Sequence, residues 1–193
     1  PASSEAASSS SAPAAKLSID FDSDTVGTTY EGTGWNPAHV TATVVTIASV
    51  SGLPAHGSST NALKIVVSDY NAIPLMEVSL PAGKTLSDYN VKVDAYFPRN
   101  TLGLTDSNAN YYKPFLLLAG TAITSAASET NPAYQSKIDT IYDDVDTWKT
   151  YTLTVDATKG AALTGTFKIG MGLNRPGGTT DGYYFDNVRL ELK

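Results

Sequence analysis

From Lys16 onward the chain never runs far without a turn signal. Short runs rich in Val, Ile, Thr and Tyr are cut off by clusters of Gly, Pro, Asn and Asp, as over 51–61 and 174–182. Such punctuation leaves little room for a helix of ordinary length, and no helical spacing of apolar residues is visible between the breaks. The runs predict strands over 16–22, 40–48, 62–68, 75–80, 90–97, 113–119, 136–142, 147–155, 165–174 and 182–192. Ten short strands without helices must bury their apolar faces against one another. The expected fold class is therefore all-β: a β-sandwich (jelly roll) of about ten antiparallel strands. No internal repeat is visible.

Composition narrows the functional classes. With 11 Tyr, 15 Gly and 17% charged residues the 193-residue chain suits one extracellular β domain. A net charge of −6, with 13 Lys and Arg that form no run, argues against a nucleic-acid or anionic-membrane partner. No apolar stretch reaches the roughly 18 residues of a membrane span. Cysteine is absent, which removes disulfides and thiolate chemistry. Residues 1–15 are Ala, Ser or Pro apart from Glu5, and read as a disordered linker ahead of a folded module at 16–193. A linker of this kind suggests a module cut from a larger protein, secreted or held at a bacterial surface.

Alternation assigns faces to the strands. Over 90–97, Val91, Val93, Ala95 and Phe97 point to the core, with Lys92, Asp94 and Tyr96 opposite. Over 167–174, Phe167, Ile169, Met171 and Leu173 face the core and leave Gly170 and Gly172 outward. Those glycines are either a twist device or a shallow floor that a ligand can approach closely. In the last strand Val188 and Leu190 must face the core, which by strict alternation puts Tyr184 and Asp186 on the core side too.

Enzyme signatures are scarce. His39 and His56 sit in polar, loop-like settings that read as solvated, and there is no nucleophile elbow, P-loop, dinucleotide fingerprint or zinc pattern. A carboxylate pair across a cleft stays possible, but the acids gather in turns, at Asp143, Asp144 and Asp146 and around Asp20. Catalysis is disfavoured.

Asp20, Asp22 and Asp24 alternate, and Glu31 falls at the twelfth position of that run, as in an EF-hand loop. Thr25 stands where the EF-hand needs Gly, and a strand precedes the loop, so the EF-hand is rejected while a hard cation stays in view. A core-facing Asp186 with no obvious Lys or Arg partner strengthens this, because a buried carboxylate needs a counter-charge. Either Asp22 and Asp186 share one structural Ca²⁺, or Asp186 is a hydrogen-bonded aspartate closing a turn.

Aromatic residues supply the remaining chemistry. Trp35 lies in the glycine-flanked stretch Gly32-Thr33-Gly34-Trp35-Asn36-Pro37, as a plug for the sandwich end or as a stacking platform. Trp148 opens a strand and reads as structural rim packing. Tyr111 and Tyr112 end a polar loop, and Asn174 and Arg175 close the strand that carries the two glycines. Flat rings beside planar amide and guanidinium donors suit a sugar polymer, whose C–H faces stack and whose hydroxyls take paired hydrogen bonds. The candidate carbohydrate contacts are thus Trp35, Tyr111, Tyr112, Asn174 and Arg175.

Five motifs carry a family resemblance: Ile19-Asp20-Phe21-Asp22, Asn61-Ala62-Leu63-Lys64-Ile65, Ala82-Gly83-Lys84-Thr85, Asp146-Thr147-Trp148-Lys149-Thr150-Tyr151 and Gly182-Tyr183-Tyr184-Phe185-Asp186-Asn187-Val188-Arg189-Leu190. With them the chain resembles β-sandwich carbohydrate-binding modules of the family 4 and 22 kind, attached to or inserted in bacterial family 10 endoxylanases. The resemblance implies non-catalytic binding of xylan or a related hemicellulose, with a catalytic hydrolase domain in the same chain. It also places Asp22 and Asp186 where the family has acidic calcium ligands. Two rival readings are a small jelly-roll glycosidase or polysaccharide lyase, and a ligand-free structural spacer.

Overall fold

The computed structural model describes residues 14–33, 39–68, 73–99, 115–121, 123, 134–138, 145–155, 157–173 and 182–193. Within these lie twelve strands: β1 (Ser18–Ile19), β2 (Thr29–Tyr30), β3 (Gly32–Thr33), β4 (Val40–Thr46), β5 (Asn61–Val67) and β6 (Ile73–Ser79), then β7 (Tyr89–Tyr96), β8 (Phe115–Gly120), β9 (Tyr134–Ile138), β10 (Trp148–Thr154), β11 (Thr166–Leu173) and β12 (Tyr183–Leu192). A single helical turn, α1 (Ala157–Gly160), follows β10. Every strand pairing is antiparallel. Seven strands form one sheet in the order β10-β7-β12-β5-β4-β2, with β1 also against β12; five form the other, in the order β3-β6-β11-β8-β9. The expected β-sandwich is what the chain adopts, and each of the ten expected strands has its counterpart. β2 and β3 are additional two-residue strands in a segment whose sequence reads as turn.

Alternating residues of both sheets meet in one core. Val91, Val93, Ala95 and Phe97 from the seven-stranded sheet and Phe167, Ile169, Met171 and Leu173 from the five-stranded sheet are all buried there, as the alternation predicts. Aromatic rings concentrate at one part of it, where Phe97 lies 5.4 Å from Tyr183 and 5.7 Å from Tyr151, the latter edge-on.

β12 breaks the alternation, and the sequence expectation for Tyr184 and Asp186 is corrected there. Asp186 stands opposite Asp94 of β7, whereas Arg189 stands opposite Lys92. Two residues of β12, Asn187 and Val188, thus face the single Val93. This is a β-bulge, and Asn187 takes the left-handed backbone it requires, at φ 46°. The extra residue reverses the parity. Tyr183 and Phe185 point inward before the bulge, Val188 and Leu190 after it. Tyr184 and Asp186 therefore stand on the outer face of the seven-stranded sheet. Asp186 is nonetheless completely buried.

Asparagine enters the left-handed region more readily than most residues; here its Nδ2 also donates across the sheet to Asp94 Oδ2 at 3.2 Å. Asn187→Gly and Asn187→Val both lose that bond and differ in what the positive φ costs them. We expect the Val variant to be the less stable of the two by about 1–2 kcal/mol in urea denaturation. Equal stabilities would show that β12 pairs without the bulge.

Candidate functional site

At one end of the five-stranded sheet the registers bring several strand termini together. Thr33, the last residue of β3, pairs with Ile73, the first of β6. Leu173, the last of β11, pairs with Phe115, the first of β8, and Phe115 pairs in turn with Ile138, the last of β9. Trp35, Tyr111, Tyr112, Asn174 and Arg175 lie outside the described residues. Their nearest described neighbours in sequence are Thr33, Phe115 and Leu173, so all five candidates belong to segments that leave this same end. Connections between strands are where a rigid sandwich carries recognition residues.

The outer surface of that sheet is not a bare glycine floor. A Cβ on Gly170 would come within 2.9 Å of Leu75 Cδ2 and 3.0 Å of Ile73 Cδ1, and one on Gly172 within 2.5 Å of Ile73 Cγ2. Ile73 of β6 thus stands beside both glycines, with Leu75 also beside Gly170 and the Tyr183 hydroxyl, 2.7 Å from such a Cβ, beside Gly172. Ile73 and Leu118 are themselves buried, in a small apolar cluster with Ile123 that is separate from the main core. The glycines make room for these neighbouring side chains. Farther along, Lys168 and Glu31 form an exposed ion pair.

The two candidate metal ligands have separate hydrogen-bond partners. Asp22 Oδ1 accepts from Thr60 N at 2.9 Å, Thr60 Oγ1 at 3.0 Å and Asn61 N at 2.8 Å, which ties the turn after β1 to the start of β5. Burial works to raise the Asp22 carboxyl, but the donors of Asn61 and Thr60 outweigh it and hold the group below the ordinary aspartate range. Asp186 Oδ1 accepts from Asn187 N at 2.7 Å, and its Oδ2 lies 2.8 Å from His56 Nδ1. There burial wins: it pushes the Asp186 carboxyl up, against hydrogen bonds from Ser59, His56 and Asn187 that pull the other way.

His56 is the residue that sequence reasoning misjudged. Its ring is 19% exposed, not solvated, and its Nε2 lies 3.5 Å from Asp94 Oδ2 while Nδ1 faces Asp186. It stacks on Trp148 with centroids 4.4 Å apart and planes at 21°. Trp148 Nε1 donates to Pro54 O at 2.9 Å, which clips the loop before β5 to the start of β10. Trp148 is thus half-buried rim packing, as its strand-end position predicts. Asp94 also receives Arg189 Nη1 at 3.3 Å. The signal for His56 was indirect: a buried Asp186 without a basic partner in a flanking strand implies a donor from a connection.

Among the described residues no group of three or more His, Asp or Glu is placed to hold a metal ion. Calcium asks for six to eight oxygen ligands, whereas N–H and O–H donors surround Asp22 and Asp186. As placed, these two donor sets do not fit one shared ion. Also among the described residues, no helix is long and apolar enough to cross a membrane.

No protein-family model matches the chain, and no curated protein matches it. Solved structures do. One is a xylan-binding module, CBM15, with TM-score 0.53 and 11% identity over 92% of this chain and 97% of that one. Another belongs to the carbohydrate-binding modules of the β-sandwich superfamily described as promiscuous in specificity, with TM-score 0.52 and 16% identity over 95% of this chain and 64% of that one. A third is a Stig cyclase from Fischerella sp. TAU in complex with an indole compound, with TM-score 0.50 and 19% identity over 91% and 96%. At these identities the likeness is one of fold. That fold carries binding modules and an enzyme alike.

The lowered Asp22 carboxyl sets a pH signature. A depressed folded pKa contributes stability above the unfolded value of 3.8, and that contribution is lost as pH falls through the folded value. With EDTA present, Asp22→Asn should therefore melt below the wild type at neutral pH, and the gap should close progressively below pH 3.8. A gap that does not change with pH would show that Asp22 does not act through its charge.

Proposed function

We propose that this chain is a non-catalytic polysaccharide-binding module, with xylan or a related hemicellulose as its ligand. In this reading it acts outside the cell beside a glycoside hydrolase in the same longer chain, from which the Ala/Ser/Pro stretch 1–15 separates it. The observation that carries the proposal is the convergence of the termini of β3, β6, β8, β9 and β11 at one end of the five-stranded sheet. Trp35, Tyr111, Tyr112, Asn174 and Arg175 belong to the segments that leave it. Aromatic rings suit the C–H faces of successive sugar units, and Asn and Arg suit their hydroxyls. Tethering of this kind raises the local concentration of an enzyme on its substrate without adding chemistry. Affinity electrophoresis in gels containing xylan, arabinoxylan, β-glucan or mannan tests the reading, together with a reducing-sugar assay on the same polymers. Retardation without sugar release is the expected result. Release of reducing sugar would make the chain an enzyme, and no retardation in any gel would make it a spacer.

The two tryptophans separate binding from folding. An aromatic anchor of an interface commonly costs about 2 kcal/mol on truncation, so Trp35→Ala should weaken xylan binding about thirtyfold and leave the melting temperature unchanged. Trp148→Ala loses its stacking on His56 and its bond to Pro54, and should cost about 3 kcal/mol of stability. Calorimetry and melting curves on both variants decide this. Wild-type binding by Trp35→Ala would remove Trp35 from the site.

A structural Ca²⁺ near Asp22 and Asp186 is a separate proposal that rests on the sequence pattern, and the donors about both carboxylates must turn away to admit the ion. It requires a melting temperature lowered by EDTA, because an ion bound by the folded state alone stabilises that state. Unchanged melting, with no calcium by elemental analysis, removes it.

A further inference from the structure

A ladder of paired residues crosses the outer face of the seven-stranded sheet. Lys64 of β5 stands opposite Tyr184 of β12, Tyr184 opposite Tyr96 of β7, and Tyr96 opposite Trp148 of β10. Their neighbours Leu63, Ile65, Phe185, Ala95 and Phe97 fill the core, so this ladder faces away from it. The connection from β4 to β5 passes alongside, and residues 49–53 of it form one wall of a cavity of about 560 Å³. Lys64, Tyr96, Tyr184, Pro98 and Asp146 line the rest. That volume lies within the range of about 300–1,000 Å³ usual for small-molecule sites.

The chemistry of the lining is specific. The rings of Tyr96 and Tyr184 are tilted by 60° with centroids 6.3 Å apart, which makes a notch and not a flat platform. Two charged side chains share the cavity. Asp146 is already engaged: its Oδ1 accepts from Arg99 N at 2.9 Å, and its Oδ2 lies 3.8 Å from Arg99 Nε. Half-buried Lys64 has no hydrogen-bond or ion-pair partner among the described residues. Asp146, the carboxylate that shares the lining, is taken by Arg99, and a ligand carboxylate would give the Lys64 ammonium a charge-assisted hydrogen bond. The Ser51 hydroxyl and the Gly52 carbonyl, to which Tyr96 OH donates at a long 3.4 Å, offer partners for ligand hydroxyls, while the Ser49 hydroxyl donates to Thr46 O at 2.7 Å.

We propose that this cavity is a second ligand site, distinct from the strand-end region, and that it takes one uronosyl unit. The sugar ring sits against Tyr96 and Tyr184, and its carboxylate meets Lys64. Its lining shares no residue with the five candidate contacts, so it is tested separately from them.

Amide chemical shifts of the full chain, titrated with sodium glucuronate, glucose and sodium acetate, test the proposal. Glucuronate should shift Gly52, Lys64, Tyr96 and Tyr184 saturably, with glucose and acetate at least tenfold weaker. Lys64→Met should weaken glucuronate at least tenfold, Lys64→Arg should largely keep it, and Trp35→Ala should leave it untouched. No saturable shift at these amides overturns the proposal. So does acetate or glucose binding as well as glucuronate, which would reduce the cavity to an anion site or a neutral-sugar site. A folded Lys64→Met variant with unchanged glucuronate binding overturns it too. If that variant does not fold, the three probes on the wild type decide between these outcomes.

Discussion

The bulge at Asn187 decides what the two faces of the central strand present. β12 is flanked by β7 on one edge and by β5 and β1 on the other, so any change of register in it is felt across the seven-stranded sheet. A strand of ten residues with unbroken alternation would send Tyr183 and Phe185 outward if Val188 and Leu190 stay inward. Two aromatic side chains would then leave the core, and Asp186 would enter it. One extra residue avoids both outcomes. The local cost is a single left-handed asparagine, which is small beside the burial of two rings.

With Asp186 turned outward but still enclosed, the loop before β5 has a fixed partner. A buried carboxylate left without hydrogen-bond partners is expensive, and His56 and Asn187 supply them. His56 thereby ties its loop to β12. The same imidazole approaches Asp94 with its other nitrogen and lies flat on Trp148, whose indole reaches Pro54. A connection that by composition ought to be mobile is tied at Pro54, His56 and Thr60 to three different strands or turns. The wall of the Lys64 cavity is thereby built on a braced segment, and preorganisation of that sort lowers the ordering cost of binding.

Strand existence was legible in the sequence, because each long strand carries its own alternation and its own turn signals. Val91, Val93, Ala95 and Phe97 show this for β7, and Phe167 through Leu173 for β11. What escaped was anything decided by a partner. Thr29–Tyr30 and Gly32–Thr33 have turn-like neighbours, and they become strands because β4 and β6 offer edges to pair with. The bulge leaves no periodic trace, since Asn187 looks like an ordinary outward polar residue. The loop histidine could not be placed because its carboxylate partner lies 130 positions away. Local pattern fixes elements, and long-range pairing fixes faces.

The two sheets divide the work of the sandwich in a way that follows from their edges. In the five-stranded sheet the outward glycines of β11 are flanked by Ile73 and Leu75, so its flat surface is taken up by packing and contacts fall to the strand ends. In the seven-stranded sheet the bulge turns Tyr184 outward beside Tyr96, and the braced β4–β5 connection walls a cavity over them. Ring-lined surface thus arises on a face of the seven-stranded sheet, from Tyr96 and Tyr184. One register shift in β12 decides both which rings fill the core and which ring stands over the opposite surface.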